Sequence, residues 1–232
     1  MSQPTLLLVH GWGLGGGVWR KLLKRLDNPP HLALDFGFYG KPKLAIPTDR
    51  PLIAVGHSLG FLWILRQLSQ NAPWGEQVAG LISVNGFCRF AQGEDFSQGV
   101  HPHLLRRMKS GLRRDPIRVL ADFRALGGLS SDNFLSDAAK QRLDPNALAQ
   151  GLEWLGAWDG RQVIRHWKKP ILVLANRDDE IVTPQITEAS FAPLFGNQTD
   201  QIHWLTGGGH LGLLSHMDPI EAEIKHFYTR WG

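Results

Sequence analysis

The chain has 232 residues, a net charge of +4 and a single cysteine, Cys88. This length allows one large domain with a sizeable apolar core. One cysteine excludes an internal disulfide framework and is typical of a reducing compartment. The apolar runs are too short to span a bilayer, and the first residues lack the basic region of a signal peptide. We therefore expect a cytoplasmic protein that does not enter membranes.

Short apolar runs predict buried strands, and most of these runs end in Gly, Asn or Asp. They cover residues 5–10, 31–36, 52–56, 80–85, 171–176 and 202–206. Helical patterns lie between them at residues 17–27, 59–70, 185–195 and 218–230. Strands that alternate with helices predict an α/β fold, in which helices flank both faces of a mostly parallel sheet.

The alternation stops between about residues 88 and 165, where the sequence is polar and favours helices. Two segments in this stretch begin with Asp-Pro, at Asp115 and Asp144, as capped helices do. We interpret residues 88–165 as a helical cap inserted into one domain that spans residues 1–232. The core of that domain is then formed by residues 1–87 and 166–232.

Positive charge is concentrated in the predicted cap. Between His101 and Ala125 the sequence holds seven Lys and Arg residues against two Asp residues, a local charge of +5 that leaves −1 for the rest of the chain. Such a surface could attract an acidic protein or a phosphate-bearing ligand, and a solvated helix face would have the same composition. We expect no nucleic-acid partner.

The residues Gly11-Trp12-Gly13-Leu14-Gly15-Gly16 match the pattern G-x-G-x-x-G, and Asp35 follows 19 residues after Gly16. This arrangement is formally a dinucleotide-binding fingerprint, because such loops cradle a pyrophosphate at a helix N-terminus. However, Trp12 is bulky for a turn that a ligand approaches closely, and a dinucleotide site leaves the motifs farther along the chain unexplained. We therefore expect no cofactor.

Ser58 is the candidate nucleophile. It lies in Gly56-His57-Ser58-Leu59-Gly60, a G-x-S-x-G sequence between a predicted strand and a predicted helix. This is the setting of a nucleophile elbow, a sharp turn that requires small residues at positions 56 and 60. The helix N-terminus also directs its dipole at a developing oxyanion, which the backbone N–H groups of Leu59 and Trp12 would bind.

A nucleophilic serine needs a base, and the base needs an acid that orients it. His210 follows three glycines in a loop after the last predicted strand, so it can reach across the edge of the sheet. Asp178 and Asp179 follow the strand before that one, and the order Ser, Asp, His is the order of hydrolase triads. We favour Asp179 as the acid, and Asp178 remains the alternative.

The other histidines fit this chemistry less well. His203 lies in a predicted strand and His226 in the last predicted helix, positions typical of packed or surface histidines. His101 and His103 form an isolated pair, and the sequence has no H-E-x-x-H motif and no paired cysteines. We therefore expect no metal.

With these residues in place, the chain resembles the α/β-hydrolase superfamily over essentially its full length. Within it, the chain is similar to the pimeloyl-[acyl-carrier-protein] methyl ester esterases of biotin synthesis. The segments that carry the resemblance are LLLVHGWGLGGGVW, VGHSLG, VLADFRALGG, GLEWLGAWDGRQ, PILVLANRDDEIVTP and GGGHLGLLSHMDPIEA. The resemblance implies that Trp12, Phe123 and Gly127 line an acyl pocket. It also implies that cap arginines face an acidic acyl carrier protein, and for this contact we select Arg106, Arg107 and Arg118.

The sequence departs from that family in several places, and its later cap arginines do not align well with those of the family. It begins close to the predicted oxyanion strand, so we expect the two leading strands usual in this fold to be absent. His57 stands where these esterases often carry Trp, and FRALGG lacks the glutamine expected after its Leu.

The expected function is a monomeric serine carboxylesterase that works through an acyl-enzyme, with a pimeloyl-carrier-protein methyl ester as its substrate. Hydrolysis of a thioester, a lactone or a carbon–carbon bond by the same triad is an alternative. A binding protein of the same fold that turns over slowly is another.

Overall fold

The computed structural model describes residues 3–130, 135–195 and 201–231. A six-stranded sheet, in which every strand pair is parallel, forms its centre. The strand order is β2-β1-β3-β4-β5-β6. The strands are β1 (Thr5–Val9), β2 (His31–Ala33), β3 (Leu52–His57), β4 (Val78–Val84), β5 (Ile171–Asn176) and β6 (His203–Leu205). All of the predicted strands are thus confirmed, with shifts of a few residues at their ends.

Helices cover the sheet and fill the connection between β4 and β5. They are α1 (Arg20–Arg25), α2 (Leu59–Ser69), α3 (Pro102–Leu112), α4 (Pro116–Leu126), α5 (Asp137–Gln141), α6 (Pro145–Ala157), α7 (Arg161–His166), α8 (Pro184–Phe195), α9 (Gly212–Ser215) and α10 (Met217–Tyr228). Short 3-10 turns precede α1 at Gly16–Trp19 and α9 at Gly209–Leu211. Among the residues described, no helix combines the length and apolarity needed to cross a membrane.

The sheet has an apolar core on each face because successive side chains of a strand point to opposite sides. In β1, Leu7 and Val9 belong to one buried cluster, and Leu6 and Leu8 belong to the other. The second cluster packs the sheet against α1 and α10, whereas the first packs it against α2 and the helices of the insertion. Burial on both faces explains why the strands are nearly continuous apolar runs.

Helices α3 to α6 lie in the predicted cap, and two of them begin as their Asp-Pro sequences predict. The Asp115 carboxylate accepts a hydrogen bond from Arg118 N–H (2.9 Å) at the start of α4, and Asp144 caps α6 in the same way. The buried leucines of the cap, among them Leu120 and Leu152, belong to the same cluster as Leu7 of the sheet. Such shared packing is typical of an insertion rather than a separate domain.

The predicted cap, residues 88–165, includes a stretch beyond the described residues and overlaps a helix that packs on the core. Residues 131–134 lie outside the part of the chain that the structure describes. The far end falls inside α7, which packs against α2 and α8 of the core.

The strand register brings several loops to one edge of the sheet. Val9 pairs with Gly56, Gly56 pairs with Ser83, and Val84 pairs with Leu174. Parallel strands in register end together, so the loops that follow β1, β3, β4, β5 and β6 meet at the carboxyl edge, where α/β sheets place their sites.

Candidate active site

Ser58 lies in a strained turn between β3 and α2. Its backbone has φ 53° and ψ −123°, a conformation that non-glycine residues adopt only when their surroundings impose it. A Cβ at Gly56 would lie 2.3 Å from Phe61 Cα, and one at Gly60 would lie 2.1 Å from the Val9 carbonyl oxygen. Both positions therefore require glycine, as the elbow motif predicts, and the turn presents Ser58 Oγ at the carboxyl edge of the sheet.

A buried chain of hydrogen bonds connects Ser58, His210 and Asp179. Ser58 Oγ lies 2.9 Å from His210 Nε2, and His210 Nδ1 lies 2.7 Å from Asp179 Oδ2. Because a carboxylate only accepts, Nδ1 carries the proton and Nε2 is free to accept the Ser58 hydroxyl proton. The exposed fractions are 5% for Ser58, 0% for His210 and 3% for Asp179, so this arrangement is shielded from water.

The neighbouring aspartates have separate partners. Asp179 Oδ1 accepts the backbone N–H groups of Ile181 (2.8 Å) and Val182 (2.7 Å), which orients Oδ2 toward His210. Asp178 is exposed, and its carboxylate accepts the N–H groups of Gly207 and Gly209, both at 3.0 Å. Asp179 thus contacts His210 itself, whereas Asp178 contacts the glycine loop that carries it.

Two side chains at neighbouring strand ends hold the backbone of His210. The carbonyl oxygen of His210 accepts a hydrogen bond from His57 Nε2–H (3.0 Å) and another from Asn85 Nδ2–H (2.9 Å). Asn85 also binds the Gly209 carbonyl (3.1 Å) and accepts the Asn176 N–H through Oδ1 (3.0 Å). Burial, together with the nearby His210 ring, lowers the pKa of His57 to about 3, so its imidazole is neutral at ordinary pH.

The predicted oxyanion loop passes directly beside the elbow. A Cβ at Gly11 would lie 2.6 Å from His57 Nδ1 and 3.1 Å from Ser58 Cβ, so only glycine allows this approach. Trp12 follows, and its indole Nε1–H donates to the Leu148 carbonyl of α6 (2.8 Å). Leu59 is the first residue of α2, where backbone N–H groups have no acceptor within the helix.

Asp35 has a local partner for each oxygen. Its carboxylate accepts the N–H of Gly16 (2.9 Å) through one oxygen and that of Gly37 (2.9 Å) through the other. Burial opposes ionisation, but the neighbouring His10 and these two amides together lower the pKa of Asp35 to about 2. The acidic residue of the apparent dinucleotide fingerprint therefore supports the glycine loop itself.

A cavity of about 600 Å³ lies between the cap and the sheet edge. Its apolar wall includes Trp12 and Phe123, whose rings meet edge to face with centroids 5.0 Å apart. The Phe123 ring also approaches the His210 ring, at 6.1 Å between centroids, so one residue of the cavity wall lies beside the buried hydrogen-bond chain. Gly127 lies outside the cavity lining, where its carbonyl accepts the N–H of Leu211 (3.0 Å).

Arginines stand at the rim of this cavity. Arg107 and Arg118 contribute to its lining, and Arg106 is exposed on the same helix as Arg107. Arg118 forms an ion pair with Asp122 (3.0 Å), one turn farther along α4. Within the described ranges, neither Arg106 nor Arg107 has an ion-pair partner. The positive charge of the cap is therefore available on the outer surface beside the cavity.

The remaining histidines lie away from this chemistry. His203 pairs with Glu223 (2.9 Å) on the surface, and His226 is exposed on α10. His101 caps α3 by accepting the His103 N–H (3.1 Å). In the part of the chain that the structure describes, no three His, Cys, Asp or Glu side chains are grouped so that they could hold a metal ion.

The sequence did not reveal the contacts that hold the loops. His57 and Asn85 donate hydrogen bonds to the His210 carbonyl. Asp178 accepts the amides of the glycine loop, and Trp12 donates to α6. One signal for Asn85 was present, since it ends a predicted strand at the same edge as Ser58. The sequence contains no signal for the partner of each of these side chains, because the hydrogen bonds join residues as many as 153 positions apart.

Comparison with known proteins gives the following matches. Residues 6–223 match the profile of the alpha/beta hydrolase family. The chain is 30% identical to a pimeloyl-[acyl-carrier protein] methyl ester esterase of Stenotrophomonas maltophilia, with 97% of this chain and 92% of the relative covered. It is also 30% identical to a protein of the same name from Xanthomonas oryzae pv. oryzae, with 97% and 94% covered.

Solved structures share the fold at lower sequence identity. An esterase from Exiguobacterium antarcticum superposes with a TM-score of 0.78 at 14% identity, covering 98% of this chain and 92% of that one. The enol-lactonase from Burkholderia xenovorans gives a TM-score of 0.72 at 15% identity, covering 99% and 92%. These similarities extend over nearly the whole of each chain.

Proposed function

The chain belongs to the α/β-hydrolase family, and on this premise we propose that it is a serine carboxylesterase that works through an acyl-enzyme. The observation that carries the proposal is the buried chain of hydrogen bonds from Ser58 through His210 to Asp179. Nucleophile, base and orienting acid stand within hydrogen-bond reach of one another, which is the geometric requirement for nucleophilic catalysis.

In the first half-reaction, His210 Nε2 takes the Ser58 hydroxyl proton as Oγ attacks the ester carbonyl. The backbone N–H groups of Trp12 and Leu59 bind the oxyanion of the tetrahedral intermediate, and each such donor contributes about 3 kcal/mol in the transition state. Asp179 stabilises the imidazolium that forms. As the intermediate collapses, His210 returns the proton to the departing alcohol oxygen, which leaves an acyl-Ser58 ester.

In the second half-reaction, His210 takes a proton from water, and the hydroxide oxygen attacks the acyl carbonyl. The same amides bind the second oxyanion, and His210 then protonates Ser58 Oγ as the carboxylic acid departs. The sum of both steps is ester plus water to acid plus alcohol, and no cofactor takes part.

For the substrate we propose the methyl ester of a pimeloyl-acyl-carrier protein. Such a molecule carries an apolar chain with an ester at one end and an acidic protein at the other. The cavity of about 600 Å³ has an apolar wall for the chain, and it lies between Phe123 near His210 and the arginine rim. The two curated esterase relatives are named for this substrate, which supports its extension to the present chain.

The function is tested with Ser58→Ala and a fluorophosphonate that reacts with activated serines. The wild-type protein should hydrolyse p-nitrophenyl esters and be labelled at Ser58, whereas Ser58→Ala should lose turnover by about six orders of magnitude while remaining folded. Ser69→Ala, at the exposed end of α2, is the matched control and should behave as wild type. Full activity in Ser58→Ala would overturn the assignment.

The substrate is tested with a panel of esters, thioesters and lactones. Methyl pimeloyl-carrier protein should give a higher kcat/KM than p-nitrophenyl esters of graded chain length, because it can engage both the cavity and the arginine rim. If a thioester or a lactone gave the highest kcat/KM, the triad mechanism would stand, but the proposed substrate class would be wrong. Absence of turnover for every ester, together with failure of the fluorophosphonate to label Ser58, would indicate a binding protein of the same fold.

A further inference from the structure

His57 lies where the nucleophile turn, the oxyanion loop and the loop of the base meet. It is the last residue of β3, directly before Ser58, and it is fully buried. One side of its imidazole faces Gly11, where a Cβ would lie only 2.6 Å from Nδ1. On the other side, Nε2 is 3.0 Å from the carbonyl oxygen of His210. A single ring thus spans the space between two loops that contribute to the site.

The hydrogen bond determines the tautomer of His57. A carbonyl oxygen only accepts, so Nε2 must carry the hydrogen and Nδ1 must be without one. Nδ1 has no hydrogen-bond partner among the residues described. Burial and the neighbouring rings of His210 and His10 lower the pKa of His57 to about 3, which keeps it in this neutral form.

The loop that carries His210 depends on side chains for its position. Gly207, Gly208 and Gly209 all have positive φ values, of 81°, 87° and 54°, and glycine backbone has little stiffness of its own. The His210 carbonyl has two lone pairs, and these accept the hydrogen bonds from His57 and Asn85. These two hydrogen bonds fix the backbone of His210, while its imidazole bridges Ser58 and Asp179.

We propose that His57 is a positioning residue, which holds the backbone of His210 through its Nε2–H so that the imidazole of His210 stays aligned between Ser58 and Asp179. The inference rests on the proposed function, because alignment matters only if His210 acts as the base. It assigns to His57 a role beyond packing: the strand that supplies the nucleophile also supplies a donor that anchors the base.

Neutral His57 also suits the charge changes of the reaction. His210 becomes an imidazolium during acylation, and its ring centroid is 5.2 Å from that of His57. Among the described residues, the ionisable groups nearest this pair are His10, whose Nε2 accepts the Phe36 N–H (3.0 Å), and Asp179, whose carboxylate faces His210 Nδ1 (2.7 Å). A second positive charge on His57 would oppose the transition state, so a buried neutral donor is the suitable anchor.

The test compares His57→Gln with His57→Met. The two new side chains have the same length, but only Gln carries an N–H group near the position of Nε2. His57→Met should lower kcat and the fluorophosphonate labelling rate by about 10- to 100-fold, since a small misplacement of the base suffices for such a loss. KM should stay unchanged, because His57 does not line the cavity. His57→Gln should restore most of the lost rate.

Two results would overturn the proposal. One is a His57→Met enzyme, folded by circular dichroism, with wild-type kcat. The other is an equal loss of kcat in His57→Gln and His57→Met, which would show that the ring of His57 acts through its packing and not through its N–H group. A measurement on the wild-type protein covers the case in which the variants do not fold. Nitrogen-15 NMR should find His57 in the neutral Nε2–H tautomer from pH 5 to 8, and an Nδ1–H tautomer or a protonated ring would contradict the proposal.

Failure of the proposed function has a different signature. In that case the wild-type protein would neither hydrolyse esters nor be labelled at Ser58, whereas failure of the present inference leaves wild-type activity and labelling intact.

Discussion

The sheet edge and the cap place their ionisable groups in opposite environments. At the edge, Asp179 and His210 are buried and hydrogen-bonded at 2.7 Å. On the cap, Arg106 and Arg107 are exposed, and the ion pair of Arg118 with Asp122 involves side chains that are 74% and 62% exposed. Buried charges interact strongly and at fixed geometry, whereas exposed charges interact weakly and are screened by salt.

This contrast separates the contributions of the two regions. Groups at fixed geometry suit bond making and breaking, because the reaction needs a base aligned with a nucleophile. Exposed charges suit attraction of a partner, which needs a field rather than an exact contact geometry. Trp12 belongs to both regions, since its backbone lies in the predicted oxyanion loop and its indole donates to α6 of the cap. We therefore expect substitutions at the edge to affect every substrate and substitutions on the cap to affect only some.

The largest expected effect comes from the acid. Asp179→Asn should lower kcat by about 10⁴-fold for all esters, because an amide no longer selects the Nδ1–H tautomer of His210. Asp178→Asn should stay within about tenfold of wild type, since its carboxylate binds only loop amides. The two variants differ by one position and have the same change of charge, so steady-state kinetics compares them directly. A larger loss of activity in Asp178→Asn than in Asp179→Asn would show that Asp178 is the acid that orients His210.

A smaller and selective effect is expected from the cap. Reversal of Arg106, Arg107 and Arg118 to Glu should lower kcat/KM for the carrier-protein ester by about 10- to 100-fold at low salt. The deficit should shrink as salt is raised, because exposed charges are screened. The p-nitrophenyl esters should be affected much less, since they lack an acidic carrier and meet Arg107 and Arg118 only at the cavity rim.

The matched control for this reversal is Arg165, Lys168 and Lys225 changed to Glu. These residues are exposed away from the cavity, and the substitution alters the net charge equally. Equal losses in both triple variants would mean that only net charge matters. If neither triple variant lost kcat/KM for the carrier-protein ester, the basic segment would be a solvated surface with no role in binding the carrier.

The smallest expected effect is on stability in acid, and it arises at the edge. His57 has a pKa of about 3 in the folded protein against an ordinary value of 6.5, so the unfolded chain binds the extra proton between these values. The free energy of unfolding should therefore fall as pH drops below about 6.5, by up to about 1.4 kcal/mol per pH unit from this group. Asp35, with its pKa lowered from 3.8 to about 2, adds a further loss below about pH 4.

Urea unfolding between pH 5 and 7 measures this dependence. His57→Gln should have the flatter profile, because Gln does not titrate. His226→Gln is the matched control, since residue 226 lies on the surface of α10 and is in water both before and after unfolding. Parallel profiles for wild type and His57→Gln would show that His57 does not contribute to the acid sensitivity.

Much of the fold was predictable because its signals are local. The four inner strands are apolar runs that are buried on both faces, as in Leu52–His57, and each run is visible without knowledge of its neighbours. The capping of α4 by Asp115 and α6 by Asp144 depends on residues two or three positions away. The elbow motif was visible for the same reason, since Gly56, Ser58 and Gly60 lie within five residues, although the group that excludes a side chain at Gly60 is the distant Val9 carbonyl.

The choice between neighbouring candidates had no local signal. Asp178 and Asp179 are adjacent and chemically identical, and only the path of the glycine loop determines which carboxylate His210 contacts. Likewise, G-x-G-x-x-G with Asp35 matches a nucleotide site by spacing, yet in the folded chain the carboxylate is occupied by the amides of Gly16 and Gly37. Spacing along the chain cannot show whether an acceptor is already taken.

The sequence by itself determined the six strands, the helices α1, α2, α8 and α10, and the glycine-flanked turn at Ser58, because these depend on periodicity and on small residues within a short segment. Only the tertiary structure decided which donor meets which acceptor, as His57 and Asn85 meet the carbonyl of His210. It also decided where the cap leaves a cavity beside Phe123. The reason is physical: a hydrogen bond requires about 3 Å between its atoms, and segments far apart in the chain reach that distance only when the whole fold is packed.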